Sequence, residues 1–112
     1  MISTHILDTA RGRPAGGVPV LLERMDERGA AIEVARAVTD ADGRVRELAP
    51  AGGALVAGTF RLTFDSGAYF AASGVVGFYP LVTILFTLLD PAQHHHVPLL
   101  LSPFGYATYR GS

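Results

Sequence analysis

Three adjacent histidines, His94, His95 and His96, and a fourth at His5 are the side chains best suited to proton transfer near neutral pH. On an extended chain, successive side chains alternate between faces. His94, His96, Pro98 and Leu100 then share one face, and His95, Val97, Leu99 and Leu101 the other. The second set is mostly apolar, so His95 reads as a packing residue. The first set leaves two imidazoles about 7 Å apart by strand rise, a spacing that suits a small polar ligand. Arg44 follows the Asp40-Ala41-Asp42-Gly43 turn directly and is held at its lip. Its planar guanidinium could grip a carbonyl or oxyanion.

Three readings of the histidine run compete. Acid–base catalysis or polar-ligand binding uses the paired rings directly. A metal site has the right ligand type, but two ligands at i and i+2 need a third or fourth. No H-E-x-x-H and no cysteine is present, and nothing in the spacing brings Asp8 or Asp90 to the run. An incidental surface cluster is the third reading, weakened because the run leads straight into Val97-Pro98-Leu99-Leu100-Leu101. Taken alone, His5 also fits a histidine satisfied on a terminal strand, and Arg44 a solvated arginine. Arg110 could pair with the terminal carboxylate.

The elements that must position these groups belong to a chain of 112 residues, enough for one domain with one modest core. Hydrophobic residues make up 49%, against disorder, and a net charge of -1 gives no reason to expect a nucleic-acid partner. All nine basic residues are arginine, which removes lysine nucleophiles and Schiff-base chemistry; the absence of cysteine removes thiol catalysis and disulfides. The start carries no secretion-signal pattern, the end no peroxisomal tripeptide, and the apolar run Leu81 to Leu89 is too short to span a bilayer. A cytoplasmic protein, with no membrane partner, is the expectation.

Short extended segments dominate the pattern. They are Ile2 to Leu7, Val18 to Glu23, Ile32 to Val38, Gly58 to Phe64, Leu81 to Leu89, His94 to Leu101 and Tyr106 to Arg110. Arg11 to Gly17 and Asp26 to Gly29 are turn clusters, and Asp40 to Gly43 signals a hairpin. The facing of Ile32 to Val38 is ambiguous because Ala35 and Ala37 interrupt the alternation. Ser66 to Val75 is the one helix candidate, with Ser66 as its cap. Seven or eight strands with one short helix predict an all-β two-sheet sandwich. An immunoglobulin-like binding module is the plainer version of that fold.

These motifs resemble those of the 5-hydroxyisourate hydrolase family, transthyretin-related enzymes of urate breakdown. The resemblance covers nearly the whole chain. It rests on S-T-H-I-L-D-T at the start, G-R-P-A-G-G-V-P-V, the D-G-R turn at Arg44, H-V-P-L-L-L-S-P from His96, and the closing Tyr109-Arg110-Gly111-Ser112. The last two are highly specific, since the hormone carrier transthyretin lacks both. Three positions depart from the family pattern: His95 replaces a usual tyrosine, Leu81 a common acidic residue, and Ala107 a common serine or threonine.

The resemblance implies a single prealbumin-like domain over residues 1–112, assembled as a homotetramer, a dimer of dimers, with sites in the channel between dimers. It implies His5, Arg44, His96 and Ser112 as catalytic residues, Tyr109, Arg110 and Gly111 as substrate-binding residues, and neither metal nor cofactor. The implied reaction opens 5-hydroxyisourate at an acyl C–N bond. Water needs a base, the oxyanion a positive donor and the leaving nitrogen a proton. Arg44 would be the donor. His5 and His96 would share base and acid, with the two roles unassigned, helped by the carboxylate or hydroxyl of Ser112. If the last strand continues to the end, Tyr109 lines the pocket, Arg110 anchors the tail by an ion pair, and Gly111 leaves space. A small-ligand carrier on the same scaffold is the alternative, although a hormone- or lipid-type channel should lack paired histidines.

Overall fold

The computed structural model describes residues 1–49 and 55–112. Nine strands and one helix are found there: β1 (Ile2–Asp8), β2 (Arg13–Pro14), β3 (Pro19–Met25), β4 (Ala31–Val38), β5 (Arg44–Ala49), β6 (Gly58–Phe64), α1 (Ser66–Ala72), β7 (Val82–Leu88), β8 (His95–Ser102) and β9 (Gly105–Thr108). They form two packed sheets. One runs β2-β1-β8-β9, with β5 also paired to β1; the other runs β4-β3-β6-β7. The two-sheet sandwich predicted from the strand pattern is therefore the fold.

Alternation builds the core. Ile2, Ile6, Leu99 and Leu101 from one sheet meet Leu22, Phe60, Leu62 and Phe64 from the other, all fully buried. The central pair is β1 with β8, which run parallel in register from Ile2 opposite His95 to Asp8 opposite Leu101. Every buried side-chain polar atom among the described residues has a hydrogen-bond partner. Asp8 is typical. It is buried, accepts from the backbone of Ala10 and Arg11, and accepts a hydrogen bond from the Tyr69 hydroxyl at 2.7 Å.

Three local expectations are corrected, and one ambiguity is resolved. Asp40 to Gly43 does not close a hairpin. β4 belongs to one sheet and β5 pairs with β1 in the other, so the turn carries the chain across the sandwich. Gly43 adopts a φ of 74° as the Asp-Gly signal required. The cap of α1 is Asp65, whose Oδ1 accepts the Ala68 N–H at 2.9 Å; Ser66 is buried and its hydroxyl donates to the Tyr79 carbonyl at 2.8 Å. The helix ends at Ala72 rather than Val75. The ambiguous facing of β4 comes from a register shift between Leu22 and Glu23, which leaves Val34 as the extra residue and turns Ala35 and Ala37 toward the sandwich.

Candidate active site

On β1 the pleat sends Ile2, Thr4 and Ile6 inward and Ser3 and His5 to the outer face. In-register neighbours share a face, so two strands add to that side. From β8, Ser3 gains His96 and His5 gains Pro98; from β5, His5 gains Arg44 while Thr4 and Val45 face the core. Period two on three strands thus assembles His5, Arg44 and His96 from distant parts of the sequence.

The turn before Arg44 is what fixes it there. Asp40 Oδ1 accepts the N–H groups of Asp42 and Arg44, each at 2.9 Å. Those N–H groups, that of Arg44 foremost, hold the Asp40 carboxyl below its usual range. The Gly43 carbonyl accepts the Ile6 N–H at 2.8 Å, which pins the turn to β1. A Cβ on Gly43 would collide with the Ile6 carbonyl oxygen, so the glycine is also required by close approach.

Ser3, Arg44, Arg46, His94, His96 and Ser112 line a cleft of ≈ 190 Å³ on this face. His5 stands beside it, close enough for its charge to act on His96. No acidic side chain lines the cleft, and Arg44 and Arg46 supply guanidinium donors for an electron-rich ligand. Among the described residues, no group of three or more His, Cys, Asp or Glu side chains is spaced to hold a metal ion.

His94 and His96 do share the outer face, with ring centroids 6.2 Å apart against the 7 Å expected from strand rise. The Ser3 hydroxyl lies between them, 2.6 Å from His94 Nε2 and 2.8 Å from His96 Nδ1. His96 is half-buried. Burial holds its pKa below the ordinary imidazole value, and the nearby charges of His94, Arg44 and His5 push the same way. His96 is therefore neutral at pH 7, and its Nδ1 already engages Ser3. His95 is buried on the inner face at 4% exposure.

The closing residues divide between two sites. β9 stops at Thr108, so alternation does not carry through to the end. Gly111 returns to the sheet as a single bridge, donating its N–H to the His96 carbonyl at 2.8 Å. The space left by its missing side chain is filled by the His96 ring: a Cβ would stand 2.6 Å from His96 Cδ2. Ser112 reaches the cleft. Tyr109 and Arg110 do not; they line a groove with Leu85, Phe86 and His95, and Arg110 donates to the Gln93 side-chain oxygen at 3.1 Å instead of forming an ion pair. Sequence reasoning singled out neither Ser3 nor Arg46. The one signal in the sequence that could have found Ser3 is its place two residues before His5, on the same face of an extended segment.

A comparison with known families decides the kinship: the profile described as HIUase/Transthyretin family matches residues 2–111. The chain belongs to that family. Among curated members of the HIUase/Transthyretin family, 5-hydroxyisourate hydrolase 2 of Rhizobium meliloti is 46% identical over 99% of this chain and 95% of its own length. Solved family structures include the 5-hydroxyisourate hydrolase of Klebsiella pneumoniae, 41% identical with a TM-score of 0.81, covering 99% of this chain and 98% of that one. Transthyretin from Sparus aurata is 32% identical with a TM-score of 0.92, covering 98% and 95%. The HIUase/Transthyretin family thus holds both 5-hydroxyisourate hydrolases and transthyretins on one sandwich.

Proposed function

We propose that this protein hydrolyses 5-hydroxyisourate in urate catabolism, to 2-oxo-4-hydroxy-4-carboxy-5-ureidoimidazoline, by direct attack of water. The observation that carries this reading is a half-buried His96, its pKa lowered by that burial, beside Arg44 in a polar cleft. His96 Nε2 takes a proton from water as the oxygen bonds to the acyl carbon. Arg44 donates hydrogen bonds to the oxyanion that forms. When the oxyanion collapses, the C–N bond breaks and the nitrogen receives a proton, with His96 as the returning acid and His5 as an additional donor. Ser112 closes the cleft and orients the ring. An imidazole whose pKa is lowered by burial suits a base, and His96 takes that role here on its place in the cleft lining. No step in this scheme calls on a metal or cofactor.

The assembly we propose is a homotetramer, a dimer of dimers, with the outer face of the β1–β8 sheet turned toward the channel between dimers. The compartment we propose is the cytoplasm. Among the described residues no helix is long and apolar enough to cross a membrane.

Hydrolysis of freshly generated 5-hydroxyisourate, followed by loss of near-ultraviolet absorbance, tests the reading. His96→Asn should lower turnover by about 10²-fold or more, with assembly intact. A folded, assembled protein that gives no acceleration over the spontaneous rate would return the cleft to ligand binding. Loss of activity only with chelator would assign the step to a metal.

A further inference from the structure

The Ser3 hydroxyl has one proton and two histidine neighbours. It can donate to only one of them and must accept an N–H from the other. The tautomers of His94 and His96 are therefore coupled through Ser3. If the hydroxyl donates to His94 Nε2, His96 carries its proton on Nδ1 and presents a bare Nε2. If it donates to His96 Nδ1, His96 carries its proton on Nε2 instead. The first state is a base toward the cleft and the second an acid. The distances favour the first at rest: O–H donors make shorter hydrogen bonds than N–H donors, and the contact to His94 Nε2 is 2.6 Å against 2.8 Å to His96 Nδ1.

We infer that Ser3 and His94 form a proton relay behind His96, with Ser3 as the positioning residue and His94 as the temporary proton store. The inference rests on the hydrolase reading above and concerns how its base is reset. As water attacks, His96 Nε2 gains the water proton. The Nδ1 proton of His96 passes to Ser3 Oγ, and the Ser3 hydroxyl proton passes to His94 Nε2. His96 ends neutral with its proton on Nε2, Ser3 ends neutral, and His94 becomes imidazolium. When the C–N bond breaks, His96 Nε2–H protonates the nitrogen. The chain then runs backward, and His94 returns the stored proton.

The placement of the three residues fits these roles. Ser3 is 4% exposed and sits on the central strand, so its hydroxyl is held in one place. His96 is half-buried, where a second proton is costly; His94 is exposed, where the imidazolium is solvated. The other groups that bring charge to this cleft are Arg44, Arg46 and His5, cationic when protonated, and the Ser112 carboxylate. Arg44 and His5 oppose a positive charge on His96, which favours moving it outward.

The test uses the full chain with Ser3→Ala, His94→Asn and the double variant. Two readouts are needed: 15N shifts of the His96 ring, which report its tautomer, and steady-state kinetics across pH. In the parent protein His96 should show a protonated Nδ1 and a bare Nε2. Ser3→Ala should mix the tautomers and lower kcat by about 10-fold or more, with KM within about 3-fold. His94→Asn should lower kcat similarly, and the double variant should be no worse than the poorer single one, because both break one chain. Losses that multiply, or a Ser3→Ala protein with unchanged tautomer and kcat, would overturn the relay while leaving the hydrolase reading intact. A parent protein without hydrolase activity would overturn that reading and the relay's catalytic role together, while the tautomer spectrum still reports the hydrogen-bond chain. If Ser3→Ala does not fold, the His94→Asn spectrum decides: an unchanged His96 tautomer population overturns the relay.

Discussion

An alanine at position 111 would bring its methyl carbon to 2.6 Å from Cδ2 of His96 and 3.3 Å from Cγ. Ordinary carbon contact needs about 3.5 Å, so one partner must retreat by about 1 Å. If the His96 ring yields, its 2.8 Å contact with Ser3 opens beyond hydrogen-bond range. If the tail yields, the Gly111 N–H leaves the His96 carbonyl and Ser112 leaves the cleft. Either movement misplaces a group by the amount that costs about 10²-fold in turnover. The backbone at Gly111 is not left-handed and the bridge is a single hydrogen bond, so stability should change by less than about 1.5 kcal/mol. Stopped-flow hydrolysis of 5-hydroxyisourate beside thermal unfolding separates the two effects. A Gly111→Ala protein with parental kcat would refute the argument that this glycine sets the ring. So would a loss of activity that only tracks the fraction unfolded.

Further outcomes follow from the same geometry. The neutral form of His96 is the base, and burial, then the charges of His94, Arg44 and His5, lower its pKa from 6.5. The acid limb of kcat/KM should therefore fall below the ordinary imidazole range, and an NMR titration of His94→Asn should find the His96 pKa raised toward that range. The same shift has a stability sign. As pH falls below 6.5 the unfolded chain binds this proton first, so chemical denaturation should show stability declining from 6.5 down through the lowered folded value. Arg44→Lys keeps the charge and loses the fork; kcat should drop by about 10²-fold with folding unchanged by circular dichroism, and near-parental turnover would mean that charge alone suffices. Gly43→Ala forces an alanine to a φ of 74° against the Ile6 carbonyl oxygen, which should cost about 2 kcal/mol or more in urea unfolding.

Much of the fold was legible because its signals are local and repeated. Alternating residues in Gly58 to Phe64 and His94 to Leu101 announced both the strands and their faces, Ile2 to Leu7 read as extended, and the closing motifs pointed to the family. The face shared by His94 and His96 followed from period two alone. What escaped depends on partners distant in sequence. The Asp-Gly signal specifies a reversal but not which strand receives the chain, and β1 captured β5 where β4 had been expected. The bulge at Val34 is invisible without its partner strand. Extended alternation put Tyr109 in the pocket and Arg110 in an anchoring ion pair, but the strand stops at Thr108. Ser3 drew no attention because a serine acquires its meaning here only from two histidines more than ninety residues away.

That separation has a consequence for the birth of the protein. β1 emerges from the ribosome well before β8, with Ile2 and Ile6 ready for burial, yet that parallel partner lies 93 residues downstream, the distance from Ser3 to His96. At about 5–20 residues per second, β1 waits roughly 5–20 s for the strand that covers its edge. The central pair cannot form until then; the sandwich closes when the histidine strand arrives. Chaperone demand should therefore concentrate on that interval, and catalytic competence should appear all at once in a nascent chain, at the moment the central pair zips.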